Sequence, residues 1–325
     1  MNLACVSHSI DFVADMMITD EIAELRQKHY NAAVASLALP NDDLMILRVR
    51  PDAGVPPHRP GQYSTLGLGQ WEPRVAGCQD EIVRPGDDKK LIRRAYSISS
   101  SIVDDAGNLP DRAGQDWLEF YIVLVRHAEK APPALTPRLF ALKTGDRVFL
   151  GEKIAGHYTL EPVKPTDNVL FLSTGTGEAP HNYMLWQLLR QQHQGKILAA
   201  CCVRYKRDLG YLAIQEELTR RYPNYKYLSL TTREADTVGH KVYIQDLITS
   251  GQLEERLGDA LDPARTHVYL CGNPKMIGVP NLDKATGAPI FPQPAGVIEI
   301  LAKRGFQMDQ PSLKLKGSIH VEEYW

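Results

Sequence analysis

Apolar and polar positions along the chain fall into two textures. Between Asn31 and Leu160 the apolar residues come in short runs divided by turn-forming clusters. Val34–Leu39 and Leu44–Val49 flank Pro40-Asn41-Asp42-Asp43, which is a hairpin signal. Pro60–Leu68 reads as a turn entering a strand, and Trp117–Val125 is the most β-prone run of this half. Ala134–Leu142 predicts a short helix with Thr136 as N-cap and Pro137 at the first helical position. Gly145-Asp146 turns into a strand at Arg147–Leu150, and His157–Leu160 is expected to close the set into a small antiparallel β-barrel. Asp104–Asp116 is polar and turn-rich, hence a loop. Gln70–Lys90, with Trp71, Pro73, Cys78 and Pro85, fits no strand pattern and reads as an insertion ending in a basic patch, Lys89, Lys90 and Arg93.

After Glu161–Asp167, the expected linker, strands and helices alternate. Val169–Ser173, Lys196–Val203, Tyr225–Thr231 and His267–Cys271 are buried strands; Pro180–Gln192, Leu212–Tyr222 and Tyr243–Ser250 are helices. That order predicts a parallel sheet covered by helices. Ahead of the barrel, Ile18–Lys28 predicts a helix capped by Thr19 or Asp20. The chain thus divides into an arm at 1–29, a β-barrel domain at 30–162 and an α/β domain at 166–325.

Composition narrows the classes. At 325 residues the chain is long enough for two cores, and 43% hydrophobic with 23% charged residues is ordinary for a globular protein. A net charge of −2 gives no overall field for nucleic acid. The five cysteines, at 5, 78, 201, 202 and 271, form no C-x-x-C pair, so no metal site is expected and the thiols read as free. No apolar run approaches the ~20 residues of a membrane helix. The amino terminus lacks the pattern of a signal peptide. A soluble, cytoplasmic, monomeric protein is the expectation.

Candidate chemistry begins at Arg94-Ala95-Tyr96-Ser97. In an extended strand Arg94, Tyr96 and Ile98 share one face, offering a guanidinium for a diphosphate, a ring for stacking and a neighbouring hydroxyl. FAD needs these three; a half-buried strand with a surface arginine is the plainer reading. Thr174-Gly175-Thr176-Gly177-Glu178-Ala179-Pro180 joins a buried strand to a helix, where glycines let the backbone approach a diphosphate. Cys271-Gly272 ends another buried strand, where ligands of open α/β sheets sit, or is simply a buried strand-end thiol. Thr232, Arg233, Lys241 and Tyr243 suit a ribose 2′-phosphate beside an adenine, although solvated charges would look the same. His320 to Trp325 is either a terminal strand capping a core or a pair of rings, Tyr324 and Trp325, covering a cofactor.

With these motifs in this order, the chain from Asn31 to Trp325 resembles the ferredoxin–NADP reductase family, bacterial members included. The resemblance implies a flavin-binding barrel followed by an NADP-binding domain. It implies FAD contacts by Arg94, Ala95, Tyr96, Ser97, Tyr121, Ala134, Leu135, Thr136, Thr174, Tyr324 and Trp325. It implies NADP contacts by Gly175, Thr176, Gly177, Arg204, Thr232, Arg233, Lys241, Tyr243, Cys271 and Gly272. The activity it implies is that of a ferredoxin–NADP(+) reductase. A hydride passes between nicotinamide C4 and flavin N5, and single electrons pass to or from ferredoxin or flavodoxin. Under this resemblance Ser97 would support N5, Cys271 would orient the nicotinamide, Glu322 would link the site to solvent and Tyr324 would gate the flavin face. Lys89, Lys90 and Arg93 would steer an acidic carrier. Alternatives are a reductase component serving an oxygenase or quinone and, from another class, a non-catalytic nucleotide-sensing module. Glu178 departs from the family pattern: a carboxylate in the phosphate loop weakens diphosphate binding unless it points outward.

Overall fold

The computed structural model describes residues 20–310 and 315–323. Ile18, Thr19, Tyr324 and Trp325 lie outside the described residues. Residues 20–29 form the helix α1. Glu72 fastens it to the body: Arg26 Nε and Nη2 donate to the two carboxylate oxygens at 2.8 and 2.7 Å, and Tyr30 Oη donates to Oε1 at 2.9 Å.

The first half is a closed barrel of β1 (Ala32–Asn41), β2 (Leu44–Pro51), β3 (Tyr63–Gly69), β4 (Leu91–Ser99), β5 (Leu118–Val123) and β6 (Arg147–Leu150), in the order β1-β2-β5-β4-β3-β6. The β1–β2 hairpin forms where expected, with Leu37 opposite Leu47 and the Asn41 side chain accepting from Asp43 N–H at 2.8 Å. Val34, Leu47, Leu66, Ile98, Phe120 and Val148 fill the interior.

Two local expectations fail. Closure comes from β6, which pairs with both β3 and β1, and not from His157–Leu160. Tyr158 and Leu160 are drawn instead into the core shared with the second half, and Thr159 O accepts from Tyr269 Oη at 3.0 Å. The short helix α2 spans Thr136–Leu139, but Thr136 is its first residue and not its cap. The Thr136 hydroxyl is taken by Val125 N–H at 3.2 Å.

The second half is a parallel sheet of β7 (Asn168–Thr174), β8 (Ile197–Val203), β9 (Tyr225–Thr231), β10 (Thr266–Gly272) and β13 (Ile319–Glu323), ordered β13-β10-β7-β8-β9. Helix α3 (Glu178–Arg190) follows β7 through a single turn of 3₁₀ helix at Gly175–Gly177, and α4 (Leu212–Arg221) follows β8. These two cover one face, over Val169, Phe171, Ile197, Tyr225 and Tyr269. Helices α5 (Ile244–Thr249), α6 (Gln252–Leu257) and α8 (Val297–Ala302) cover the other, over Leu170, Leu172, Leu198 and Leu270. Between β10 and α8 lie α7 (Pro274–Ile277) and a small hairpin of β11 (Asn281–Leu282) and β12 (Pro289–Ile290). No helix among the described residues is long and apolar enough to cross a membrane.

Candidate functional site

Burial along strand β4 runs with its length and does not alternate, exposed at Arg93, Arg94 and Ala95 and buried from Ser97 on. Ile98 is buried in the barrel core, Tyr96 is half-buried against it, and Arg94 and Ala95 are exposed. Burial pushes the Tyr96 phenol up, so the ring is neutral. The Arg94 guanidinium donates to Arg93 O at 2.8 Å, and among the described residues it pairs with no carboxylate. Ser97 and Ser99 are buried on the opposite face. Ser99 Oγ lies 3.2 Å from Tyr211 Oη, at the foot of α4.

The glycine turn and the end of β10 are built against each other. A Cβ on Gly177 would stand 2.3 Å from Cys271 O, and one on Gly272 would stand 2.3 Å from Thr174 Oγ1. Gly272 has φ of 124°, a conformation closed to other residues without strain. The Thr174 hydroxyl also accepts from Asn273 N–H at 2.8 Å. The turn Gly175–Gly177 touches β5 on one side and β10 on the other, and α3 packs across β4. The turn therefore joins the barrel, at β5, to the Cys271 strand tip, and the helix that follows it reaches β4.

Register places a polar row across this edge of the sheet. Ser229, Cys201, Ser173, Cys271 and Glu322 are neighbours on β9, β8, β7, β10 and β13. In-register residues of parallel strands share a face, so Glu322 stands beside Cys271. Cys271 is fully enclosed, against Phe171, Met184 and Tyr269. Glu322 is half-buried, and desolvation pushes its carboxyl up to about 7.

Glu178 opens α3 and is 3% exposed. Its Oε1 accepts from Tyr227 Oη at 2.8 Å and from Gln215 Nε2 at 3.3 Å, while Oε2 has no hydrogen-bond partner. The carboxyl thus points into the protein between α3, α4 and β9, and not outward. Burial lifts its pKa to about 7.

The residues expected at a 2′-phosphate gather where β8 and β9 end. Arg204 O accepts from Thr232 N–H at 3.3 Å and from Arg233 N–H at 2.8 Å, which brings the two arginines together. Arg233, Lys241 and Tyr243 are exposed. Neither Arg233 nor Lys241 has a carboxylate partner among the described residues, whereas Arg204 lies 3.5 Å from Asp208. Asp246 caps the following helix by accepting from Tyr243 N–H at 2.8 Å.

Other expected contacts are arranged differently. Tyr121 is buried, its hydroxyl accepting from Gly210 N–H at 2.7 Å and its ring edge-on to Tyr211 at 4.7 Å. Leu135 is buried, and Ala134 O accepts from Arg138 at 2.7 Å. The insertion lies over this corner: Arg138, 3% exposed, meets Glu81 at 2.8 Å, and Arg74 donates to Pro133 O at 3.1 Å. Lys89 pairs with Glu21 of α1, and Lys90 pairs with Asp87.

Sequence reading missed the groups that join the halves. Glu119 is fully buried and accepts from Arg48 at 2.9 Å, Ser101 at 2.7 Å and Tyr211 at 3.0 Å. A lone carboxylate inside the apolar run Trp117–Val125 was its signal, since a buried charge needs partners. Arg112, stacked over Tyr183 and Trp186 at 5.1 and 5.0 Å, had none.

Residues 171–280 match the family model of an oxidoreductase NAD-binding domain. The chain is 34% identical over 227 residues to the flavodoxin/ferredoxin–NADP reductase of Escherichia coli, covering 69% of this chain and 78% of that one. It is 27% identical over 200 residues to the ferredoxin–NADP reductase of Azotobacter vinelandii, 58% and 70% of the respective chains. Among solved structures, a ferredoxin NADP+ reductase of Neisseria gonorrhoeae with bound FAD and NADP superposes with a TM-score of 0.64. That match is at 21% identity and covers 91% of this chain and 98% of that one. The fold of a barrel followed by a parallel sheet, and the relationship in sequence, agree: the chain belongs to the flavodoxin/ferredoxin–NADP reductase family.

Proposed function

We propose that this protein is an NADPH-dependent FAD oxidoreductase exchanging electrons with a one-electron carrier of the ferredoxin or flavodoxin kind. In this reading residues 30–162 hold FAD and residues 166–325 hold NADP(H). The observation that carries it is the short segment Thr174–Glu178, which touches both the barrel and the Cys271 strand tip.

The donor set fits both groups. Arg94 offers an exposed guanidinium to the FAD diphosphate, with the Tyr96 ring and Ser97 alongside for the flat heterocycle. At Gly175, with φ of 53°, no atom lies within 4 Å of where a Cβ would stand, so the backbone is open to a second diphosphate. Arg233 and Lys241 suit a 2′-phosphate better than a bare ribose diol, which would call for an acidic residue. When bound, FAD supplies the exchange between hydride and single electrons.

The chain's own residues then position and protect. Gly272 lets the tip of β10 close against Thr174, beside which the nicotinamide would lie, with the Cys271 thiol enclosed in the core beneath that tip. Glu322, whose carboxyl burial pushes up to about 7, can hold a proton beside Cys271. The gate falls to Tyr324, two residues beyond Glu322.

The test is spectroscopic. Purified protein should be yellow, bleach on anaerobic addition of NADPH, and recover colour with ferredoxin or flavodoxin. Recovery with a quinone alone would favour a reductase component of another kind. A chain that stays colourless after incubation with FAD would refute the reading.

A further inference from the structure

We propose that Glu178 couples dinucleotide binding to uptake of one proton: its carboxyl must be neutral for the glycine turn to accept a diphosphate at full strength. This rests on the placement of NADP(H) at Gly175–Gly177 given above.

Glu178 is the residue directly after that turn and the first of α3. An ionised carboxylate and a diphosphate would both draw on the same partial positive charge of the helix N-terminus. In a water-poor setting they would also repel each other strongly. The surroundings offset this only in part: Tyr227 and Gln215 donate to Oε1, and burial outweighs them. Tyr225 and Tyr227 face Glu178 from β9, Cys201 from β8, Tyr121 from β5 and Gln215 from α4, with Asn182 one turn along α3. Burial pushes those phenols and that thiol up, so all stay neutral near pH 7. Among the described residues no cation pairs with Glu178. One oxygen, Oε2, has no partner; it is the natural seat of a proton. With the free protein's carboxyl titrating at about 7, a neutral-pH solution holds both forms, and an arriving diphosphate selects the protonated one.

The experiment is calorimetric titration of the FAD-loaded protein with NADP+ from pH 6 to pH 8, comparing wild type with E178Q. The 2′-phosphate itself titrates in this range but does so equally for both, so the ratio of dissociation constants isolates Glu178. Wild type should weaken relative to E178Q by about tenfold from pH 6 to pH 8. In buffers of differing ionisation enthalpy at pH 8 it should take up close to one proton more than the variant. E178M, which lacks any ionisable group, should match E178Q. NAD+, without the 2′-phosphate, should still draw the extra proton into wild type. A ratio flat across pH with equal proton counts overturns this proposal alone. Failure of NADP+ to bind either form at pH 6 overturns the placement of the dinucleotide as well.

Discussion

Two groups of cations flank the site, and they are treated differently. On the insertion side, Arg74 and Arg138 close on Glu81 under the loop, and Lys89 and Lys90 pair with Glu21 and Asp87. On the ligand side, Arg94, Arg233 and Lys241 are exposed and have no carboxylate partner among the described residues. A cation already satisfied by the chain stabilises the fold; a cation left over is available to a phosphate. By that division the insertion is a structural brace over Ala134–Thr136, while the proposed phosphate recognition falls to β4 and to the loop after β9.

The largest effect expected from breaking this division is on folding. Arg138→Ala leaves the largely enclosed Glu81 with only the more distant Arg74 and takes the donor from Ala134 O and Gln70 O, and should lower stability by about 3 kcal/mol in urea unfolding. The double change Arg138→Met with Glu81→Leu should restore part of the loss, because an apolar pair can replace a buried ion pair, while Arg74 gives up its carboxylate. Next, Arg94→Ala should weaken FAD retention roughly tenfold to a hundredfold, the worth of charge-assisted contacts to a phosphate. Flavin released on gel filtration measures it, and the unfolding midpoint of the FAD-free protein should not move. Arg233→Ala should raise KM for NADPH about tenfold and leave KM for NADH unchanged; equal rises would remove the 2′-phosphate from this loop. Least of all, Lys89→Ala with Lys90→Ala should leave turnover with an acidic carrier unaltered at physiological salt, since surface ion pairs already absorb both charges. A marked fall would return these lysines to the carrier-steering role that their spacing suggests.

Local signals made much of this molecule legible. The β1–β2 hairpin and the strand–turn–helix at Thr174 are written within a few residues each, and both formed. Features set by distant partners were not legible. His157–Leu160 looks like a strand, but Tyr158 gains more burial in the core beneath α3 than at a barrel edge. Thr136 has the right identity for a cap, yet Val125 N–H competes for its hydroxyl. The position of Glu178 in the phosphate loop was plain in the sequence. Its direction depended on Tyr227 and Gln215, which reach it from two other elements. Glu322 was noticed at the chain's end, but only the register of β13 on β10 sets it beside Cys271.

The most direct test of one site assembled from both halves is a crystal structure of the chain soaked with FAD and NADP+. The account predicts the flavin against Tyr96 with its diphosphate on Arg94, and the NADP+ diphosphate over Gly175–Gly177 with its 2′-phosphate at Arg233 and Lys241. Flavin density on another face of the barrel, or dinucleotide density away from the glycine turn, would contradict it.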